Sequence, residues 1–303
     1  MEADRETRAQ RRDRITPAVV RALLRNHPDR GQVMFTSGEP TLHPLLPEFI
    51  GIAREEGYAS IALTSNGRRL AYAPYARELV ERGLRRFVFS IHGADRRHHD
   101  SQTRTPGSFA QALAGLRTVV ALKVSHPLTI HTSTVVSRRN VDRLTDVYRL
   151  LASFPVDQIV FNVVKPDGRA AALFDALVPR YADVRGALES LLADQPGAAR
   201  RLFVIDMPPC MTEGLPDRIR GFAETYTYFE AEDDTPDKPS ARNVRTVDGG
   251  RILVSDRTVA CTPLVHGPPC ARCRARRRCD GVWTQYIERF GWDEFGLAPR
   301  RKR

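Results

Sequence analysis

Phe35-Thr-Ser-Gly-Glu-Pro-Thr-Leu-His-Pro44 joins the end of a short apolar run, Val33 to Thr36, to a glycine turn bearing one carboxylate and to prolines suited to start a helix. A glutamate between Gly38 and Pro40 is held by a stiff turn with close backbone access. Such a carboxylate suits the ammonium group of an amino-acid-like ligand. A plain helix-start glutamate, complementing the helix dipole, would carry the same sequence. The surrounding chain decides between the two.

Outward from this turn, short β-rich runs alternate with amphipathic stretches, the pattern of βα units around a parallel sheet. Strands are predicted at Val33–Thr36, Ser60–Thr64, Phe87–Ser90, Leu128–Val135 and Gln158–Val164, with a sixth at Leu202–Ile205. Apolar residues at three- and four-residue spacing predict helices over Pro17–Asn26, Leu45–Glu56, Tyr75–Arg82, Phe109–Leu122, Val141–Ser153 and Pro179–Ala193. Pro44 and Pro74 suit first helical turns, Ser108 and Asn140 suit N-caps, and Gly57 and Gly83 suit helix stops. The repeat implies a curved, partly closed barrel over residues 1–205, and residues 206–303 form a C-terminal extension. Within the extension, residues 230–240 are acidic and proline-bearing and read as a linker. Val244–Thr258 reads as a hairpin around Asp248-Gly249-Gly250, and Val282–Phe290 as a short helix.

Composition narrows the class. A chain of 303 residues that is 42% hydrophobic buries a sizeable core, and its longest apolar runs fall far short of the roughly 20 residues needed to span a bilayer. Met1 to Arg14 is charged throughout, unlike a signal peptide, so a cytoplasmic location is expected. The net charge of +11 comes from 47 basic and 36 acidic residues, only four of the basic ones being lysine. That bias runs through the whole chain and does not mark a nucleic-acid surface. The exception is Pro268 to Arg303, where ten basic residues face four acidic ones.

Polar residues follow nearly every predicted strand, where ligands meet parallel α/β folds: Thr36 to Glu39, Thr64 to Gly67, Ser90 to Gly93, Thr132 to Thr134, and Asn162 with Lys165 to Gly168. Each alone is an ordinary turn signal. His98 reads as a surface residue, and His92 and His99 as site-lining hydrogen-bonding groups.

Val33 to Leu46 resembles the Gly-Gly-Glu-Pro signature of radical S-adenosylmethionine (SAM) enzymes, with Ser37 where the first glycine usually stands. Ala62-Leu-Thr-Ser-Asn-Gly67 is similar to the second-strand ending of that family. Ser90-Ile-His-Gly93, followed by His99-Asp100, Thr103 and Pro106-Gly-Ser-Phe109, resembles the third-strand region of one subgroup. The resemblance implies an incomplete six-stranded (β/α) TIM-like barrel lacking its first strand, and SAM contacts at Ser37, Gly38, Glu39, Pro40, Asn66, Ser90, His92, Thr134 and Asn162. It also implies radical modification of a small-molecule or peptide substrate, with a reductant protein of the flavodoxin or ferredoxin type as a partner.

All five cysteines, Cys210, Cys261, Cys270, Cys273 and Cys279, lie in the last third of the chain. In a reducing compartment, clustered cysteines argue for metal before disulfide. Cys270-Ala-Arg-Cys273 with Cys279 suits zinc or an iron–sulfur cluster, with Cys210 or Cys261 as fourth ligand. The run from Cys270 to Glu294 is similar to the tail of some radical SAM proteins that hold an auxiliary [4Fe-4S] cluster, and on that resemblance Cys210 is the preferred fourth ligand. Two other readings stay open: a catalytically inactive scaffold, and a zinc-stapled module whose arginine-rich loop contacts nucleic-acid phosphates.

The family opens SAM on a [4Fe-4S] cluster held by three cysteines upstream of the glutamate motif, and residues 1–34 contain none. The expectation is that Met1 is an internal residue of a longer protein, the alternative being a degenerate member that keeps the scaffold. Translation upstream of Met1 is expected to reveal an in-frame Cys-x3-Cys-x2-Cys; its absence overturns the expectation.

Overall fold

The computed structural model describes residues 15–27, 30–36, 38–166, 168–216, 241–245, 251–255 and 264–295. Of the features read from sequence, Ser37, Asp167, the acidic stretch 230–240, the turn 248–250 and Cys261 lie outside them. Helix α1 spans Pro17–Asn26 and strand β1 Gln32–Phe35; then follow α2 (Leu46–Glu55), β2 (Ser60–Ser65), α3 (Ala73–Arg82), β3 (Arg86–Ser90), α4 (Arg96–Thr103) and α5 (Ser108–Leu122). Next come β4 (Thr129–Val136), α6 (Leu144–Ala152), β5 (Gln158–Val163), the short helices α7 (Arg169–Ala172) and α8 (Phe174–Leu177), α9 (Tyr181–Asp194) and β6 (Leu202–Ile205). After these lie β7 (Ala241–Arg245) paired with β8 (Arg251–Ser255), β9 (Leu264–Val265) paired with β10 (Val282–Trp283), and α10 (Thr284–Phe290).

Strands β1 to β6 form one six-stranded sheet in sequence order, and β1–β2, β2–β3 and β5–β6 pair in parallel. That order, with helices between successive strands, is the α/β architecture of a partial TIM-like barrel. The chain groups into two compact units. One comprises Met1–Ser90, Ser108–His131 and Glu224–Arg257; the other comprises Ile91–Gly107, Thr132–Ala223 and Thr258–Arg303. These units interleave along the sequence.

In the first unit, Phe49, Ile50, Leu63, Leu79, Phe87 and Leu116 are buried. Each such side chain contributes about 1.5–3 kcal/mol by leaving water. Helix α1 begins where Thr16 accepts the Val19 N–H at 3.3 Å and Pro17 supplies a preset φ. The Tyr58 hydroxyl donates to the Leu24 carbonyl at 3.1 Å and ties α1 down. Pro74 occupies the first turn of α3 and Gly83 caps its end, as expected. Pro44 instead precedes α2, whose first turn carries Pro47.

The second unit contains three helices the sequence pattern did not announce, the short α7 and α8 and the longer α4. Helix α4 reads Arg-Arg-His-His-Asp-Ser-Gln-Thr and buries only His99, so it has no apolar stripe. Its start is set by Asp95, whose carboxylate accepts the His98 N–H at 2.9 Å. Asn140 is not an N-cap through its side chain; that side chain is engaged elsewhere. Ser108, expected as an N-cap, is the first residue of α5.

The C-terminal segment is held in this unit by aromatic rings. Tyr181 of α9 stacks on Tyr286 of α10 at 4.3 Å, and Phe290 and Phe295 meet Tyr286 edge-on at 4.8 and 6.1 Å. Such pairs add about 0.5–1.5 kcal/mol each beyond burial. The Tyr286 hydroxyl accepts the Tyr181 N–H at 2.7 Å and donates to the Glu294 carboxylate. Glu294 also accepts the Ala182 N–H at 2.8 Å, a favourable place for a carboxylate at a helix start. Tyr286→Phe keeps the ring packing but leaves the buried Tyr181 N–H unpaired. A loss of about 1–3 kcal/mol is expected in urea denaturation; an unchanged midpoint at unchanged slope would contradict this account.

Candidate functional site

The Glu39 turn belongs to the first unit. After β1 the chain passes through Gly38 at φ +57, in the left-handed region that favours glycine. An added Cβ there would meet nothing within 4 Å, so the glycine serves backbone conformation and not close packing. Pro40 then starts a short 3-10 turn, Pro40–Leu42.

The Glu39 carboxylate is engaged by its own chain. Oε1 accepts the Thr41 hydroxyl at 2.6 Å, the Ser65 hydroxyl at 2.8 Å and the Thr41 N–H at 3.2 Å, while Oε2 accepts the Asn66 N–H at 2.7 Å. The expectation that this carboxylate is open to a ligand ammonium is thereby narrowed: with about four lone-pair directions on two oxygens, what remains lies on Oε2. The turn is braced further by the Tyr75 hydroxyl on the Thr41 carbonyl at 3.3 Å and by the Arg69 guanidinium on the same oxygen. Asn66 keeps its own side chain busy, accepting the Arg68 N–H at 3.0 Å. Ser90, at the end of β3, is partly exposed.

In the second unit a polar cluster forms where β3 ends. The Ile91 N–H donates to the Ser133 carbonyl at 3.0 Å, and the Thr134 hydroxyl donates to the Ile91 carbonyl at 2.6 Å. Thr134 is completely buried, and its hydroxyl supports the backbone at the Ile91 carbonyl. His92 Nδ1 accepts the Val135 N–H at 3.2 Å, and the His92 N–H donates to His99 Nδ1 at 3.1 Å. The His92 carbonyl accepts from Gln102 at 2.8 Å and Asn140 at 3.0 Å. Burial, with His99 adding to it, pushes His92 down to about 4. Asn162 sits partly exposed on β5 between buried neighbours, and Lys165 pairs with Asp206 at 3.0 Å.

Cys210, Cys270, Cys273 and Cys279, all half-buried and unbridged, lie in the second unit. The Cys210 thiol is pushed up to about 12 by burial and then by Cys273, Cys279 and Cys270. Cys270 and Cys273 close one turn, the Cys273 N–H donating to the Cys270 carbonyl at 3.2 Å. Cys279 Sγ accepts the Gly281 N–H at 3.4 Å. Among the described residues no three His, Cys, Asp or Glu side chains converge at metal-binding geometry. Four soft thiol donors gathered from residues 210 to 279 nevertheless have the chemistry of a zinc or iron–sulfur site.

Sequence reading placed Ser65 in the polar rim after the second strand without a role of its own, and missed Gln102, Asn140 and Asp206 as site-building groups. Ser65 and Asp206 stand at strand ends and follow the same rule that found the others. Nothing local marks Asn140 or Gln102, because their partners are 48 and 10 residues away.

Residues 4–151 match the family model described as Radical SAM superfamily, so this segment is a radical SAM domain. The family's cofactors are SAM and a [4Fe-4S] cluster. The chain is 28% identical over 155 residues to AdoMet-dependent heme synthase of Oleidesulfovibrio alaskensis, a match covering 50% of this chain and 38% of that protein. It is 35% identical over 105 residues to GTP 3',8-cyclase of Chlorobaculum tepidum, covering 34% of this chain and 31% of that protein. The match thus spans less than half the length of these curated relatives. A solved structure described as native anSMEcpe with bound AdoMet shares the fold, with a TM-score of 0.58 and 15% identity over 93% of this chain and 86% of that one. No described helix is long and apolar enough to cross a membrane.

Glu39→Gln replaces one acceptor oxygen by an NH2 that must face a donor. A stability loss of about 1–3 kcal/mol is expected, with smaller losses for Thr41→Val and Ser65→Ala; chemical denaturation of the three variants checks the order.

Proposed function

We propose that this chain binds SAM and an iron–sulfur cluster for radical-based modification of a small-molecule or peptide substrate. The observation that carries the reading is the braced Glu39 turn inside the family-matched segment: a carboxylate held by Thr41, Ser65 and Asn66 keeps the Gly38–Pro40 backbone in one shape. In this reading SAM meets Ser37, Gly38, Glu39 and Pro40, with Asn66, Ser90, His92, Thr134 and Asn162 as further contacts. SAM with its cluster supplies the radical chemistry that removes hydrogen from a substrate. Residues 1–209 contain no cysteine, so none of them supplies a thiolate to the cluster that opens SAM, and no step is derived through it.

Cys210, Cys270, Cys273 and Cys279 are proposed to hold an auxiliary [4Fe-4S] cluster, with Cys261 as the reserve ligand. Their donor set and their place in one compact unit support this. Relatives named for heme synthesis and for a GTP cyclase favour a small molecule as substrate, and a flavodoxin- or ferredoxin-type protein is the proposed reductant. The radical SAM domain favours this reading over an inactive scaffold or a zinc-stapled nucleic-acid binder.

Anaerobic reconstitution of the 303-residue chain with iron and sulfide separates the readings. Bound iron and sulfide are expected, falling in Cys210→Ser and Cys270→Ser and unchanged in Cys261→Ser. One zinc per chain with no iron would overturn the cluster assignment in favour of the zinc-stapled module. Equal iron loss in Cys210→Ser and Cys261→Ser would remove the preference between those two ligands.

A further inference from the structure

The cluster at the end of β3 contains more hydrogen bonds than a strand end needs, and they converge on one residue. His92 is gripped at three points: its N–H by His99 Nδ1, its carbonyl by the Gln102 and Asn140 amides, and its ring Nδ1 by the Val135 N–H. Asn140 is itself completely buried. Its amide also donates to the Val135 carbonyl at 2.9 Å, and its Oδ1 accepts the Ser137 N–H at 2.8 Å. One side chain therefore links His92 to the end of β4 within this unit.

The bond from Val135 fixes the chemistry of the ring. A backbone N–H is only ever a donor, so Nδ1 must present its lone pair, and the proton of the uncharged imidazole sits on Nε2. Nε2 has no partner among the described residues, and His92 is partly exposed. The same argument applies to His99, whose Nδ1 accepts from His92; the two rings stack at 5.8 Å with an interplanar angle of 13°. Gly93 completes the fit, because an added Cβ would lie 2.5 Å from the His99 backbone nitrogen. Only glycine lets the loop rest on the start of α4.

We infer that His99, Gln102 and Asn140 are positioning residues that lock His92 so that its Nε2–H stands as a fixed hydrogen-bond donor to an acceptor atom of SAM bound beside the end of β3. The SAM half of this rests on the proposed function. Locked this way, His92 is neither a metal ligand through Nδ1 nor a general base near neutrality. The titratable group facing it from α4 is His99, held down by burial with Asp100 opposing. From β4 and the turn after it come Val135, Ser137 and Asn140, none of them charged.

The test uses the 303-residue chain labelled with nitrogen-15 histidine. Long-range nitrogen–proton correlation is expected to show His92 as the Nε2–H form from pH 8 down to pH 5.5, and Gln102→Ala and Asn140→Ala to release it toward mixed tautomers titrating near the ordinary histidine value of about 6.5. A protonated ring or an Nδ1–H form at pH 6 in the unaltered chain overturns the lock. So does an unchanged pattern in Gln102→Ala, which removes a partly exposed side chain and spares the core if Asn140→Ala fails to fold. With SAM as the probe, His92→Asn keeps an acceptor for Val135 and loses the outer donor, and is expected to bind about tenfold more weakly. His92→Gln, which restores an outer N–H, is expected to recover most of that affinity. SAM that shifts the Glu39-turn amides yet binds His92→Asn at full strength overturns the donor role. No SAM response anywhere in the chain overturns the proposed function and the SAM half of this inference together, while the tautomer measurement still decides the lock.

Discussion

A carboxylate surrounded by hydrogen-bond donors is the constraint on which the candidate site depends. Glu39 accepts from Thr41, Ser65 and Asn66, so the loop after β1 and the end of β2 share one charge. Charge-assisted bonds of this kind are about twice as strong as neutral ones. A loop of glycine, proline and small polar residues would otherwise sample many shapes at little cost. Tied to Glu39, its backbone holds one conformation before any ligand arrives, which spares the binding step that ordering.

The second unit reaches the same end with neutral groups. Asn140, Gln102 and His99 converge on His92, and the buried Thr134 hydroxyl secures the preceding carbonyl. Within the same unit the C-terminal segment is anchored by the Tyr181–Tyr286 stack and the Glu294 carboxylate. The anchored segment carries Cys270, Cys273 and Cys279 and lies in the same unit as Cys210, some sixty residues earlier in the chain.

Much of the fold was legible because its signal is local. Strand β6 matches its expected span, and the other five strands of the sheet fall within a residue or two of theirs, since apolar β-branched runs bounded by turns have few other uses. Helix α4 was not legible: a polar helix with one buried residue has no periodicity, and its stability comes from the Asp95 cap and the packing of His99. The site divides the same way. Glu39, Asn66, Ser90, His92 and Asn162 stand at strand ends, where position alone marks them. The burial of Thr134 and the use of Asn140 as a tie were not visible, because burial and long-range pairing are not written in neighbouring residues.

By itself the sequence determined the βα alternation, the glycine–glutamate turn and the cysteine spacing, all of which follow from short-range sterics and periodicity. Only the tertiary structure decided that the Glu39 carboxylate is spent largely on its own chain and that His92 offers Nε2–H and not a lone pair. The physical reason is common to the two. A polar group's remaining bonding capacity depends on which partners folding delivers to it, and beside the local Thr41 those partners, Ser65, Asn66 and Val135, lie 26, 27 and 43 residues away in the chain.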